Sequence, residues 1–302
     1  MTCLLPKVFS MSSSTKYSGS KNEFRTNWAS RKESKYNHWT DGKTTNQIQF
    51  AFRNHWEIFS EFMNFSEPGD SLEVGCGRGS LSSYFADNGW RVSLLDSSSE
   101  VIEIAKRIFQ INGHSGQFFS GDANNLPFES DSFDVVFSIG LLEHFEDAST
   151  SLNEQWRVLR PGGWVFSYIV PERPQNVQKY FNWVNILLRK TVGKFLSKKS
   201  EISKQDIYRN DYSSDVYLPM IETLNPSKVV VTGMYPMPMI SHSPEFPFSL
   251  LPSPLERFLV MLFKGAIFLR KIVTGRHGWL CSEPMGQAFL IAVQKGDFGE
   301  NS

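Results

Sequence analysis

The apolar positions of this chain change their period several times along its length, and the changes divide it. From Thr45 to about Phe65 the stripe Phe52, Trp56, Phe59 and Met63 recurs at steps of three and four, which predicts a helix capped by Thr45 and stopped by Pro68-Gly69. Short apolar runs then alternate with longer amphipathic ones. Strands are expected at 71–75, 91–96, 117–120, 133–138 and 164–170, and helices at 80–88, 99–112 and 147–159. Such alternation builds right-handed βαβ units around a parallel sheet. After Pro171 the rhythm breaks. An apolar helix is expected at 180–188, followed by a basic stretch from Arg189 to Lys199 with Lys204. A helix at 212–224, a strand at 228–231, a Pro-, Phe- and Met-rich segment at 235–284 with one long helix, and a last strand at 286–293 complete the pattern.

Composition narrows the class. The 302 residues carry 31 Lys+Arg against 31 Asp+Glu, so bulk charge gives no grip on nucleic acid and no nucleic-acid partner is expected. A 40% hydrophobic and 21% charged balance is that of a globular protein with a sizeable core. Cys3, Cys76 and Cys281 are odd in number and far apart, so neither a disulfide framework nor a metal-ligand spacing is present, and a cytoplasmic home is expected. Residues 1–36 are rich in Ser and Lys without a secretory apolar run. They read as a flexible tail, with a transit peptide as the alternative. The expected organisation is tail and aromatic cap segment over 1–44, then one domain over 45–302 with inserts at about 174–206 and 235–284.

The chemistry concentrates in Leu72-Glu73-Val74-Gly75-Cys76-Gly77-Arg78-Gly79-Ser80, an apolar strand ending in a glycine loop that opens a helix. Glycine permits positive φ and close approach of a ligand, and the helix start offers unpaired N–H groups. The spacing is G-x-G-x-G rather than the dinucleotide G-x-G-x-x-G. Asp96 ends the next strand, 23 residues after Glu73, where an acid can accept hydrogen bonds from ribose hydroxyls. Gly121-Asp122-Ala123 follows the third strand, and Leu159-Arg160-Pro161-Gly162-Gly163 turns from a helix into a strand.

These four pieces together resemble the class I S-adenosylmethionine-dependent methyltransferases, over about residues 46–170. The small-molecule subset is the most similar, judged by Asp131-Ser132-Phe133-Asp134-Val135-Val136 and Leu141-Leu142-Glu143-His144. The resemblance implies a Rossmann-like α/β sheet, mostly parallel, with helices on both faces, helical inserts, and 286–293 as an antiparallel edge strand. It also implies S-adenosylmethionine as cofactor and a small-molecule acceptor. Gly75 and Gly77, with Cys76 and Gly79 in the same loop, would lie along the methionine moiety. Glu73 would order the loop near the amino group. Asp96 with Ser97 would hold the ribose, Asp122 with Ala123 would meet adenine, and Ser138 and Ile139 would flank the methionine part. Each carboxylate has a plainer alternative, helix capping or a solvated loop.

A hydroxyl acceptor needs a base, whereas an amine or carboxylate can do without. His144 is the candidate, with packing or capping of the following helix as the equal alternative; His38 is weaker. Ubiquinone-pathway O-methyltransferases are similar at 141–144 but read E-x-x-E-H there, which suits a divalent cation. Gly140 replaces the first Glu in this chain, so no metal is expected. The acceptor is expected to be apolar or aromatic, methylated on oxygen or nitrogen. An RNA-modifying enzyme using the basic run and a non-catalytic S-adenosylmethionine-binding module are the alternatives.

The helix expected at 254–274 starts with Ser253 as cap, Pro254 at its first position and Glu256 closing a capping box. Arg257, Lys264 and Lys271 form a basic stripe on an otherwise apolar surface. That surface must be covered, by the sheet, by a second copy in a homodimer, or by a membrane surface in peripheral contact.

Overall fold

The computed structural model describes residues 38–63, 67–173, 175–191, 208–240 and 251–297. The expected tail at 1–36 and most of the basic run lie outside the described residues.

Helix α1 spans Gln47–Met63. Its cap is Asn46 rather than Thr45: Asn46 Oδ1 accepts the N–H groups of Ile48 and Gln49 at 3.1 and 2.9 Å. An amide oxygen there satisfies two donors that have no partner inside the helix. Thr45 donates instead to Gln49 Oε1. The buried line runs through Phe50, Ala51, Asn54, His55, Ile58, Phe59 and Met63. Phe52 and Trp56, expected at the centre of the stripe, sit on its half-buried rim.

The sheet strands are β1 Asp70–Val74, β2 Arg91–Asp96, β3 Gln117–Ser120, β4 Phe133–Ile139, β5 Leu159–Ile169, β6 Lys228–Met234, β7 Leu280–Cys281 and β8 Ala288–Gln294. They form one sheet in the order β3-β2-β1-β4-β5-β8-β6-β7. β1 to β5 pair in parallel, and β8 runs antiparallel to both of its neighbours, β5 and β6. The last strand is therefore antiparallel as expected but not an edge. Its run Ala288–Val293 is buried throughout, as an interior strand requires. The edge is the two-residue β7, contributed by the segment expected to be only a helical insert. β5 also begins earlier than expected. Phe133 pairs with Leu159 and Val135 with Trp164, so residues 160–163 bulge out of the ladder, with Gly162 at φ +77°.

Between the strands lie α2 Ser80–Asp87, α3 Ser99–Asn112, α4 Ser149–Val158, α5 Asn182–Thr191, α6 Ser214–Glu222 and α7 Ser253–Thr274. Side chains alternate along the strands, so each strand feeds two cores. Val135, Phe137, Phe166, Tyr168 and Leu290 pack with α1, α2 and α3 on one face. Leu72, Val74, Val136, Val165 and Ile291 pack with α4 and α6 on the other.

At the start of α7, Ser253 is already helical and the cap position is Pro252, which offers no side-chain bond. Glu256 closes no capping box. Its buried carboxylate accepts the N–H of Leu251 and, across the fold, the N–H of Gln47 at the first turn of α1, both at 2.9 Å.

Candidate functional site

The carboxyl ends of β1, β2 and β4 converge on the glycine loop. Gly75, Gly77 and Gly79 have φ of +70°, +54° and +64°, conformations a side chain resists. A Cβ at Gly75 would stand 2.8 Å from Leu141 Cδ1, because the turn after β4 presses onto the loop. A Cβ at Gly79 would stand 2.4 Å from Leu94 Cδ2, because α2 packs tightly on β2 and α3. Gly79 thus answers to the core. Gly75 and Cys76 both donate their N–H groups to the Leu95 carbonyl, at 2.8 and 2.9 Å. The Cys76 thiol is buried, which pushes its pKa well above the usual thiol value.

Asp96 laces this loop to β2. Its carboxylate accepts the Gly77 N–H at 3.1 Å and the Ser98 N–H at 3.0 Å. The side chain remains half-buried, beside exposed Ser97, and each oxygen keeps a lone pair for a further donor. Burial raises its pKa while the N–H groups of Ser98, Gly77 and Ser97 hold it down. Glu73 lies beneath the loop, buried. It accepts the hydroxyl of Ser82 at 2.5 Å and its N–H at 3.2 Å, tying β1 to the first turn of α2. Burial pushes Glu73 up to about 8, against the pull of those two bonds.

Next to Asp96, the Gly121 N–H donates to the Asp96 carbonyl at 3.0 Å, which brings Asp122 and Ala123 alongside. Asp122 Oδ1 accepts the Asn124 N–H at 3.0 Å, so one of its oxygens caps the turn; Ala123 is buried in the second core. Ser138 and Ile139 end β4. Ser138 is buried, in register with Ser167 of β5, and neither hydroxyl has a hydrogen-bond partner.

Past β4, Gly140 has φ +66° and leads into a single 3₁₀ turn, Leu142–His144. His144 Nδ1 lies 2.6 Å from the Tyr208 carbonyl oxygen. A carbonyl only accepts, so Nδ1 carries the hydrogen and Nε2 the lone pair. Burial lowers His144 to about 4, leaving it neutral at pH 7.

Two side chains of this region escaped the sequence reading as chemical groups. Glu143 enters the sequence pattern only as the second Glu of the E-x-x-E-H comparison. It is fully buried, and no side chain hydrogen-bonds either carboxylate oxygen; what faces it is the Arg209 charge and the N–H groups of Glu143 and Val170. A Cβ at Gly140 would lie 3.4 Å from its Oε1. Burial pushes Glu143 up to about 7, and the opposing Arg209 charge and backbone N–H groups do not outweigh it. The legible signal was a carboxylate set among Leu141, Leu142 and Phe145 immediately after an apolar strand. His55 is the second. It is buried in α1 with both ring nitrogens unpartnered, and burial lowers it to about 3. Its ring lies 4.5 Å from Tyr168 and 5.8 Å from Trp279, within an aromatic cluster that includes Tyr235. A lone histidine inside a helical pattern carries no local mark of this. His38 stands 2.8 Å from the Ser80 hydroxyl and stacks on Phe52, so the aromatic N-terminal segment reaches the exit of the glycine loop.

Residues 72–167 match a family described as a methyltransferase domain. Over 131 residues the chain is 30% identical to methyltransferase GfsG of Streptomyces halstedii, an alignment covering 42% of this chain and 47% of that protein. It is 30% identical over 108 residues to a ubiquinone biosynthesis O-methyltransferase of Nitrosospira multiformis, covering 35% and 45%. It is 40% identical over 96 residues to phthiotriol/phenolphthiotriol dimycocerosates methyltransferase 1 of Mycobacterium ulcerans, covering 31% and 35%. The chain thus spans less than half the length of each of these three relatives. A crystal structure of a S-adenosylmethionine-dependent methyltransferase from Methanosarcina mazei superposes with a TM-score of 0.50 at 17% identity, covering 80% of this chain and 97% of that one, a likeness of fold.

Proposed function

From the premise that residues 72–167 form a methyltransferase domain of the class I S-adenosylmethionine-dependent type, we propose that this protein transfers a methyl group from S-adenosylmethionine to a small organic acceptor of apolar or aromatic character. The observation that carries the reading is the loop of three positive-φ glycines laced to a half-buried Asp96. Bare backbone at Gly75 and Gly77, with acceptor capacity left on Asp96, fits an adenosine with an attached amino acid.

In this reading Gly75, Cys76, Gly77 and Gly79 form the loop along the methionine moiety, and Glu73 orders that loop from below. Asp96 and Ser97 hold the ribose, Asp122 and Ala123 meet adenine, and Ser138 and Ile139 flank the methionine part. The donor supplies a methyl group already activated on a sulfonium. The protein's contribution is alignment and exclusion of water. For a hydroxyl acceptor the turn after β4 offers two bases. His144, the candidate base named from the sequence, would present a neutral Nε2. Glu143 is the stronger base at neutral pH, because its pKa is raised to about 7 while that of His144 is lowered to about 4. The aromatic cluster of His55, Tyr168, Tyr235 and Trp279 supports an apolar acceptor, as do the names of two relatives, a ubiquinone biosynthesis O-methyltransferase and a phthiotriol/phenolphthiotriol dimycocerosates methyltransferase.

The test incubates the purified protein with labelled S-adenosylmethionine and cell extract, then fractionates the product. Label in the lipid or small-molecule pool is the expected result. Label confined to RNA replaces the acceptor class. Cofactor binding without label in any pool leaves a binding module.

A further inference from the structure

Helix α7 turns only Glu256, Val260 and Phe263 fully inward. Phe258, Met261, Leu262, Phe268, Leu269 and Ile272 are each 48–64% exposed. At about 100° per residue these six fall within one outward arc. Arg257, Lys264 and Lys271, all exposed and seven residues apart, run along one flank of that arc. The carboxylate of α7, Glu256, is buried and bonded to Gln47 and Leu251. A second helix also turns apolar side chains outward, with its lysine inside the arc rather than at a flank. In α5, Trp183, Ile186 and Leu187 are 48–64% exposed, Lys190 is exposed, and the helix contains no acid.

One chain of hydrogen bonds joins the two helices. Asn185 of α5 donates to the Met239 carbonyl at 2.9 Å. The neighbouring Ile240 N–H donates to Gln47 Oε1 at 3.0 Å, and the Gln47 N–H donates to Glu256 of α7 at 2.9 Å. α5 itself follows the carboxyl end of β5, on the side of the sheet where the glycine loop lies.

We propose that α7 and α5 form a docking face for an anionic bilayer surface. α7 lies in the interface plane, with its apolar arc at the acyl boundary and its basic flank among the headgroups. The charge pattern selects this occupant. A two-fold contact with a second copy sets the same patch against itself. With the axis across α7 the basic flank would face basic residues, with the axis along α7 it would face apolar ones, and neither helix exposes an acid to answer it. Among the described residues no helix is long and apolar enough to cross a membrane, and Lys264 stands midway along α7. Delivery of a lipid-soluble acceptor to the carboxyl edge rests on the methyl-transfer reading; the docking does not.

The experiment co-sediments the full chain with vesicles of phosphatidylcholine alone and of phosphatidylcholine with phosphatidylserine. With about 1 kcal/mol per basic residue near the surface, three residues give a preference of roughly 100-fold for the anionic vesicles. Phe258→Ser with Phe268→Ser lowers binding to both vesicle types. Phe263 is left alone because it is buried. Arg257→Glu, Lys264→Glu and Lys271→Glu together remove the anionic preference. Circular dichroism and thermal melts verify that the variants are folded. Wild-type protein that stays in the supernatant with both vesicles overturns the proposal. So does a stable dimer in sedimentation velocity that the double Phe variant dissolves. Calorimetry with S-adenosylmethionine is run in parallel: cofactor binding without vesicle binding sinks the docking alone, and the reverse sinks the methyl-transfer reading alone.

Discussion

At the scale of single residues, the carboxylate of Asp96 receives two backbone N–H groups and still has lone pairs at a half-open surface. Asp96→Ala should weaken S-adenosylmethionine binding about ten- to hundredfold, the worth of roughly one or two charge-assisted hydrogen bonds. Titration calorimetry checks this, and an unchanged dissociation constant removes the ribose assignment. The two candidate bases separate by pH. If Glu143 takes the proton, the rate with a hydroxyl acceptor rises through about pH 7, and Glu143→Gln loses about 10²–10⁴-fold in turnover at unchanged cofactor affinity. If His144 takes it, the rising limb lies near pH 4 and His144→Ala carries the loss. Turnover that both Glu143→Gln and His144→Ala leave unchanged assigns both side chains to packing. Glu73, Asp96 and His144 are legible as candidates because each is a polar group set in or just after an apolar strand. His55 is not, because its importance comes from Tyr168, Tyr235 and Trp279, which lie 113, 180 and 224 positions away in the chain.

At the scale of elements, α1 and α7 are held together by one buried carboxylate. Glu256 satisfies the first N–H of α1 and the N–H of Leu251. Glu256→Ala leaves both donors buried and should cost about 2–4 kcal/mol, read from urea unfolding, with Glu256→Gln costing less because an acceptor remains. A loss under about 0.5 kcal/mol would mean water takes over the bonds. This contact explains why the expected capping box does not form. A carboxylate three residues past a serine fits the local pattern, yet a partner from 209 residues earlier competes for it and wins. Element types were otherwise readable, since the 3.6 and 2.0 periods survive in the folded chain. The boundaries moved where tertiary bonds decide them, as at Asn46 and at the bulge of residues 160–163.

Across the described residues, Glu73, Glu143, His55 and His144 are buried groups whose large shifts shape stability against pH. Glu73 and Glu143 titrate in the fold at about 8 and about 7 against an ordinary 4.5, so their protonated forms favour the fold. Their contribution is present below pH 4.5 and is lost as pH rises to those values. His55 and His144 are lowered to about 3 and about 4 from 6.5, so the unfolded chain takes up protons first and stability falls as pH drops below 6.5. Between pH 4.5 and 6.5 the two trends oppose each other, and a plateau of maximum stability is expected there. From pH 6.5 to 8 the carboxyl groups alone should remove on the order of 3 kcal/mol. Melting temperatures across pH 4–9 check the profile. The Glu73→Gln, Glu143→Gln double variant should flatten its alkaline side, and an unchanged slope there would show that both groups are ionised in the fold.

The βαβ order, the glycine loop and the acid at the end of β2 are all readable from the order of residues. Each of these is a local property: a period, a positive φ that only glycine takes without strain, a strand end. The tertiary structure decided the rest. It placed β8 inside the sheet, buried Glu143 with no side-chain hydrogen bond, closed aromatic side chains around His55 and left one side of α7 uncovered. No local pattern specifies any of these, because burial and pairing at each depend on what distant segments bring to it.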